Sequence, residues 1–418
     1  MPNDDADAAA AAAAEDVALL AGGLAANAVD SLPVGALEDK LRLARTEGRA
    51  LRVKLGIDPT APDIHLGHAV VLRKLREFQD AGHRVVLIVG DYTARIGDPS
   101  GRSTLRPMLS EEEILANAQT FADQALKILD PDPERLEVRR NSAWLDMRMA
   151  EVLGLLRTTT AAQLLERDDF ARRWAAKESI SMLELLYPLL QAYDSVAVHA
   201  DVELGGTDQR FNLLLGRDVQ RAYGQPAQAI LTMPILVGVD GNRKMSKSLG
   251  NQIGITDAPE EMYGKTMAIP DEAMGEYRRL LLDPGSQGPD PVATEGSAGQ
   301  SPRDAKRALA RELVRWLHSA EDAAAAERHF DRVHVERREP ETIEEARFHS
   351  DGGLVHLPGL MAAEFGISRS QARRLIDEGG VTLGEAQLAA GEHDVPDERA
   401  EGQVLKVGKR RFRRLRSG

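Results

Sequence analysis

The clearest pattern in the chain begins at residue 51. The run Leu51 to Ile57 is short and apolar, and after a polar break it gives way to Ala69 to Phe78, where apolar residues recur at helical spacing. A second short run, Arg84-Val85-Val86-Leu87-Ile88-Val89, is rich in β-branched residues, and Ile230-Leu231 ahead of Met233-Pro234 is another of the kind. From about Leu51 to Ile255 such runs alternate with longer helical periods, which predicts a parallel sheet with helices on both faces. Between Asn141 and Leu190 the pattern is mostly helical, so an insertion of about residues 141–193 is expected between two halves of the sheet. Within it, Glu184 to Tyr193 is a helix candidate with Pro188 as its kink or boundary.

The period is again helical from Pro259 to Leu282 and from Pro302 to Val333. Between them, Asp283 to Ser301 is rich in Gly, Pro, Ser and Gln and is expected to be a loop. Pro340 and Gly352-Gly353 break the pattern once more. Beyond them the sequence predicts a helix from Pro358 to Phe365, a Ser368-capped helix through Glu378, and short strands around Val381-Thr382-Leu383 and Val404 to Leu415. The resulting division is an acidic, Ala-rich N-terminal extension (1–45), partly disordered or loosely helical; an α/β domain with a doubly wound, Rossmann-like parallel sheet (46–258); an α-helical domain with a flexible loop at 283–301 (259–336); and a small α+β domain (352–418).

Composition changes this picture little. A chain of 418 residues with 43% hydrophobic content has room for two to four domains, and zero cysteines excludes disulfides and thiolate metal or redox sites. Met1 to Asn27 lacks the basic start and unbroken apolar core of a signal peptide, and no run reaches the roughly 18 apolar residues of a membrane span. A cytoplasmic location without membrane association is therefore expected. Charge is more informative. The net charge of −13 argues against a nucleic-acid partner, yet after Glu401 there is no acid, while Lys406, Lys409, Arg410, Arg411, Arg413, Arg414 and Arg416 crowd the C-terminus.

Two motifs carry the chemistry. Asp58-Pro59-Thr60 leads into His65-Leu66-Gly67-His68 at a strand-to-helix junction, where α/β sheets hold phosphates. His65 and His68, three apart at a helix start, share one face; Gly67 removes a side chain where an adenine ring could lie against backbone. Far downstream, Lys244-Met245-Ser246-Lys247-Ser248 follows the turn Asp240-Gly241-Asn242 and offers two lysines and two hydroxyls. Alone, this loop reads as solvated surface. Together the motifs describe two jaws around a triphosphate. Gly205-Gly206-Thr207-Asp208-Gln209 places glycines at a loop-to-helix turn with a carboxylate able to accept from ribose hydroxyls, although a plain N-cap by Thr207 or Asp208 explains it equally without the other motifs.

With Ile96-Gly97-Asp98-Pro99-Ser100-Gly101 and the stretch Tyr187 to Asp194, these segments resemble the class I aminoacyl-tRNA synthetases, bacterial tyrosyl branch, from about Leu51 to Leu282 and from Pro302 onward. The resemblance implies activation of L-tyrosine by ATP, brought as its Mg²⁺ complex, with release of pyrophosphate, then transfer of tyrosine to the 3′ end of tRNA(Tyr). It implies no prosthetic group and no protein-bound metal. Carried over residue by residue, it places Asp194 at the phenolic hydroxyl, Tyr187, Gln191 and Asp98 at the α-amino group, Gln209 near the carboxyl, and Asn141 and Gly56 in the tyrosine site. Asp208 would hold the ribose, and Gly206 would lend backbone to the nucleotide. Thr60 and His65 would meet the γ-phosphate, and His68 would lie nearer the α-phosphate and adenine. Arg102, Arg106, Lys244 and Lys247, with Ser246, would serve the departing pyrophosphate. Lys54 departs from the best-known branch, which has a tyrosine there; it either reaches the ligand or pairs with a carboxylate.

Leu360 to Leu383 resembles an S4-type RNA-binding domain, with Arg369, Arg373 and Arg374 on one helix face and Lys409 and Arg410 in the basic strands as candidate RNA contacts. The helical block of 259–335 would contact the anticodon, and a homodimer is implied around the inserted segment, where Val152 to Leu156 and Ala161 to Leu165 are apolar. The rivals are the tryptophan enzyme of the same group, a small-substrate adenylyltransferase bearing the same histidine motif, and a catalytically silent RNA-binding paralogue.

Overall fold

The computed structural model describes residues 3–59, 63–98, 110–282, 301–335, 343–350, 352–384, 386–408 and 411–418. The chain divides into two compact units, Met1–Ser319 and Ala320–Gly418. In the first, the strands β1 (Asp30–Leu32), β2 (Arg52–Ile57), β3 (Arg84–Val89), β4 (Leu136–Arg140), β5 (Val202–Gly206) and β6 (Ala229–Met233) form one sheet in the order β1-β6-β5-β2-β3-β4. All neighbours are parallel except β1, which pairs antiparallel with β6 at the edge. Val85 to Val89 of β3 and all of β6 are buried, as strands covered on both faces should be. From β2 the chain winds outward through β3 to β4 on one side, and the second half winds from β5 to β6 on the other. The order therefore reverses between β2 and β5, and a doubly wound sheet offers its binding crevice beyond the C-terminal ends of the strands at such a reversal.

Helix α3 (Leu66–Asp80) follows β2, and its buried Leu66, Ala69, Val70, Leu72, Leu75 and Phe78 keep the helical period read from the sequence. Helix α4 (Glu111–Ala125) precedes β4. The inserted segment is helical as expected: α5 (Ser142–Leu145), α6 (Met149–Leu156), α7 (Ala161–Leu165), α8 (Asp168–Ala175) and α9 (Met182–Ala197). Pro188 neither ends nor bounds α9; it sits inside, removing one rung of the hydrogen-bond ladder while Leu189, Leu190, Ala192 and Val196 pack with Leu215 and Val219 of α10 (Arg210–Ala222).

Part of the expected N-terminal extension joins the first unit. Helix α1 (Asn3–Leu24) buries Val17 and Leu24, β1 joins the sheet, and α2 (Ala36–Glu47) buries Leu37, Leu41 and Ala44. Lys40 of α2 also pairs with Asp201 at 3.6 Å, a carboxylate held as well by Arg49 at 2.6 Å.

The 259–336 block is likewise not one domain. Helices α11 (Pro259–Ala268), α12 (Met274–Leu281) and α13 (Pro302–Leu317) belong to the first unit: the Tyr277 hydroxyl donates to the Val237 carbonyl at 2.7 Å, and the Arg73 guanidinium lies 5.4 Å from the Trp316 ring. Helix α14 (Ala320–Phe330) falls in the second unit. The expected loop at 283–301 lies, but for Ser301, outside the described residues.

The second unit also starts before residue 352. Its β7 (Glu345–Phe348) pairs in parallel with β13 (Arg411–Ser417) in a five-stranded sheet, β10-β9-β12-β13-β7, with β9 (Val381–Leu383), β10 (Ala386–Gln387) and β12 (Val404–Val407). The expected strand Val404 to Leu415 is thus the hairpin of β12 and β13. A two-stranded ribbon joins β8 (Leu354–His356) to β11 (Asp394–Pro396). Helices α15 (Leu357–Phe365) and α16 (Arg369–Asp377) pack their Leu357, Met361, Ala372 and Ile376 into this unit's core, and the Ser368 hydroxyl caps α16 by accepting from Gln371 N–H at 3.1 Å. Among the described residues no helix is long and apolar enough to cross a membrane.

Candidate active site

A cavity of about 340 Å³ opens at the β2/β5 reversal. Its walls come from the ends of β2, β3 and β5, the start of α3, one face of α9 and the segment 234–246. On α9, Tyr187, Gln191 and Asp194 stand at i, i+4 and i+7, so one face presents all three. Gly56 of β2 has open space where a Cβ would project, so any larger residue there would enter the cavity.

Three carboxylates mark the α9 end. Asp58 accepts hydrogen bonds from the Thr93 hydroxyl at 2.6 Å and the Tyr187 hydroxyl at 2.8 Å. Asp194 accepts from Trp144 Nε1 at 2.8 Å and Asn141 Nδ2 at 3.4 Å. Asp98 accepts from Gln209 Nε2 at 2.7 Å; Asn212 Nδ2 then donates to Gln209 Oε1 at 3.1 Å and to Gln191 Oε1 at 2.8 Å. That relay is anchored in the insertion, where Arg167 donates to Asn212 Oδ1 at 3.2 Å. Burial pushes Asp58 up to about 7, against the two hydroxyl bonds that oppose the shift. Burial likewise pushes Asp194 up to about 6, opposed by the charge of Lys54 and the bonds from Trp144 and Asn141. The cluster is poised to receive a cationic group together with a hydroxyl donor. A Cβ on Gly90 would overlap both Asp58 Oδ1 and Thr93 Oγ1, so only glycine lets the β3 turn approach this pair.

The opposite end is formed at the N-terminus of α3. His65 and His68 at the α3 N-terminus stack with ring centroids 3.9 Å apart, and the His65 backbone N–H donates to His68 Nδ1 at 3.3 Å. Burial, followed by the charge of Lys244, holds His68 down at about 4; burial, His68 and Lys244 push His65 lower still. Both rings are therefore neutral at physiological pH and serve as hydrogen-bonding groups, with formal charge left to Lys244. His65 Nδ1 is buried with no partner. A Cβ on Gly67 would lie 3.0 Å from that ring. Lys244 reaches across the cavity mouth to Asp208 at 3.6 Å, and Gly206 keeps room beside Asp208, whose Oδ1 would lie 2.7 Å from an added Cβ. The site thus joins a cluster of carboxylates to the N-terminus of α3 within one cavity.

The family model for "tRNA synthetases class I (W and Y)" matches residues 46–334. The chain belongs to this family of class I tRNA synthetases. It is 51% identical over 387 residues to the tyrosine–tRNA ligase of Moorella thermoacetica, covering 92% of each chain, and 49% identical over 395 residues to that of Thermotoga maritima, covering 94% of this chain and 96% of the relative. Among solved structures, tyrosyl-tRNA synthetase from Archaeoglobus fulgidus, complexed with L-tyrosine, is 26% identical with a TM-score of 0.57, covering 74% of this chain and 99% of its own.

For a class I synthetase, most expected site residues meet in the cavity: His65, Gly67, His68, Lys244 and Ser246 at the phosphate end, Gly206, Asp208 and Gln209 at the β5 turn, and Gly56, Asp98, Tyr187, Gln191 and Asp194 at the carboxylate end. Three do not line it. Lys247 bonds instead to Asp63, just before α3. Asn141 lies behind the wall, donating to Thr93 Oγ1 at 3.0 Å and to Asp194, and accepting from Tyr92 N–H at 2.9 Å. Lys54 is fully buried, and its three ammonium hydrogens go to Glu203 Oε1 at 2.7 Å, Ser195 Oγ at 2.8 Å and the Gln191 carbonyl at 3.0 Å, so none remains for a ligand. Lys54 therefore pairs with a carboxylate, the second of the two expectations. Thr60, Arg102 and Arg106 lie outside the described residues. Sequence reading had no site role for Asp58, Thr93, Trp144 or Asn212. Asp58 was signalled, being the first residue of the motif leading to the histidines.

A raised carboxylate pKa means that ionising Asp58 weakens the folded state, increasingly as pH climbs from the unfolded value near 4 through about 7. Asp58→Asn should therefore raise stability at pH 8 by about 1–3 kcal/mol in urea titration, with the gain gone by about pH 4, while raising the amino-acid KM. A variant less stable than the parent at pH 8 would contradict this electrostatic account.

Proposed function

We propose that this chain is a tyrosine–tRNA ligase, in which the substrate carboxylate attacks the α-phosphorus of ATP, the α–β bridging bond breaks, and pyrophosphate departs with its electron pair. The 3′-terminal ribose hydroxyl of tRNA(Tyr) then attacks the acyl carbon, and AMP leaves. The single observation carrying this reading is the buried Asp194 carboxylate at the end of a cavity whose other end is the α3 N-terminus. Such a carboxylate keeps lone pairs to accept from the phenolic hydroxyl of tyrosine, a bond that phenylalanine cannot make.

The lining of the cavity supports a division of roles. Asp98, Gln191 and Tyr187, with Asp58 behind Tyr187, receive the α-ammonium group, and Gln209 lies beside the reacting carboxylate. Asp208 and the Gly206 backbone take the ribose, Gly67 the adenine side, and His65 and His68 the phosphates. Thr60, Arg102, Arg106, Lys244, Ser246 and Lys247 draw charge from the departing pyrophosphate, a task of positioning and electrostatics that needs no general base. ATP would be taken as its Mg²⁺ complex. The second unit acts as an S4-type RNA-binding domain: Arg369, Arg373 and Arg374 of α16 are all exposed, while the further candidates Lys409 and Arg410 lie outside the described residues. The helical residues 259–335 contact the anticodon. Exposed Met149, Leu153 and Leu156 recur on one side of α6, near Trp174 of α8 in sequence, and support a homodimer formed through the inserted helices. The work is cytoplasmic.

Three measurements test these assignments. In amino-acid-dependent ATP–pyrophosphate exchange, Asp194→Ala should raise the tyrosine KM by about a hundredfold and flatten the preference over phenylalanine; unchanged discrimination would remove Asp194 from the substrate site. Reversing Arg369, Arg373 and Arg374 to Glu together should cut tRNA charging at least about tenfold and weaken its dependence on salt, leaving exchange intact. Loss of both activities in parallel would assign α16 to folding. For assembly, Leu153→Glu should turn a dimer into a monomer in sedimentation equilibrium, whereas an unaltered mass would move the interface elsewhere.

A further inference from the structure

We propose that Lys54 is a positioning residue for substrate discrimination: its buried ammonium clamps the Gln191-to-Ser195 turn of α9 to Glu203 of β5 and supplies the countercharge that keeps Asp194 able to accept from the phenolic hydroxyl. The inference rests on the reading of Asp194 as the phenol acceptor.

Lys54 sits on β2 below α9, and two of its three bonds go to α9 itself, to the Gln191 carbonyl and the Ser195 hydroxyl, on either side of Asp194. The third goes to Glu203. Glu203 is gripped in turn: its second oxygen accepts from Ser195 Oγ at 3.1 Å and from Gln228 Nε2. Gly216 of α10 makes room for this, since an added Cβ would lie 2.8 Å from Gln228 Nε2 and 3.2 Å from Glu203 Oε2. One cation thereby ties together β2, β5 and α9, the elements that meet at the sheet reversal. Stability gives little reason for such a group, because a buried ion pair is commonly no more stable than packed hydrocarbon of the same volume. Its placement gives a better one. Gln191 and Asp194, the side chains that face the substrate, are carried by the very turn that Lys54 holds.

The pair also acts on charge. The charged and titratable groups around Asp194 and its neighbour Asp58 are Lys54 from β2, Glu203 from β5, Asp98 from the segment after β3, and Tyr187 from α9, with Trp144 and Asn141 as neutral donors. Burial raises Asp194, Lys54 lowers it, and Glu203 raises it. The two members of the pair therefore push Asp194 in opposite directions. Loosening of the fold would not distinguish them.

The test compares activation of tyrosine with activation of phenylalanine by pyrophosphate exchange, from about pH 5.5 to about pH 8.5, in the parent, Lys54→Met, Glu203→Gln and the double variant. The two amino acids share their ammonium and carboxylate groups, so the ratio removes the contributions of Asp58 and Asp98 and isolates the phenol contact. In Lys54→Met the acid limb of the ratio should move to higher pH by about one unit, with about a tenfold loss of preference on that limb. In Glu203→Gln it should move to lower pH, and in the double variant it should fall between the two. Should Lys54→Met fail to fold around an unpaired Glu203, the Glu203→Gln shift decides alone. Limbs that keep the parent position, or that move the same way in both single variants, overturn the proposal. A parent enzyme with no preference for tyrosine at any pH would instead overturn the Asp194 reading beneath it.

Discussion

Three carboxylates, Asp58, Asp98 and Asp194, share one small cavity, and the surrounding architecture is organised by the need to keep them there. A carboxylate removed from water must find hydrogen-bond donors or a cation, and each of these has them from a different element. The Tyr187 hydroxyl ties Asp58 at the end of β2 to α9; Trp144 and Asn141 bring α5 and its entry to Asp194; Gln209 brings the β5 turn to Asp98. Every one of those bonds crosses between parts of the chain distant in sequence. The helical insertion is therefore part of the substrate pocket, because it supplies α9, Trp144 and the Arg167 anchor of Asn212.

The phosphate end works on a different principle. There the cavity gathers two neutral histidines stacked at the start of a helix, whose dipole adds positive potential, and one lysine at the mouth. On the proposed reading, charge that grows on a leaving pyrophosphate would be met by the helix dipole and by Lys244. Keeping His65 and His68 neutral makes this half of the site indifferent to pH through the physiological range, while the carboxylate half, with groups near 6 and 7, is not.

Much of this was legible in the sequence because it depends on local pattern. The strand-to-helix junction at residues 51–78, the helical insertion, the cap at Ser368 and the two phosphate motifs each declare themselves within a few residues. What escaped depends on contacts across the fold. Lys54 reads as an anomaly in an apolar strand, and only the position of Glu203, 149 residues away, explains how it is buried. Asn141 and Trp144 acquire their roles through Asp194, and Asp58 through Tyr187. The packing of the N-terminal helix is hard to read for another reason: an alanine-rich stretch has too little contrast between its faces to show which side is buried. The division after Ser319 was missed because α13 and α14 share one helical composition, and composition does not record which core a helix joins.

The most direct test of the account is amino-acid-dependent ATP–pyrophosphate exchange by the intact protein, with tyrosine, tryptophan and phenylalanine compared side by side. The account predicts exchange that strongly favours tyrosine, as a buried acceptor for the phenolic hydroxyl requires. Exchange favouring tryptophan, or none with any of the three, would contradict it.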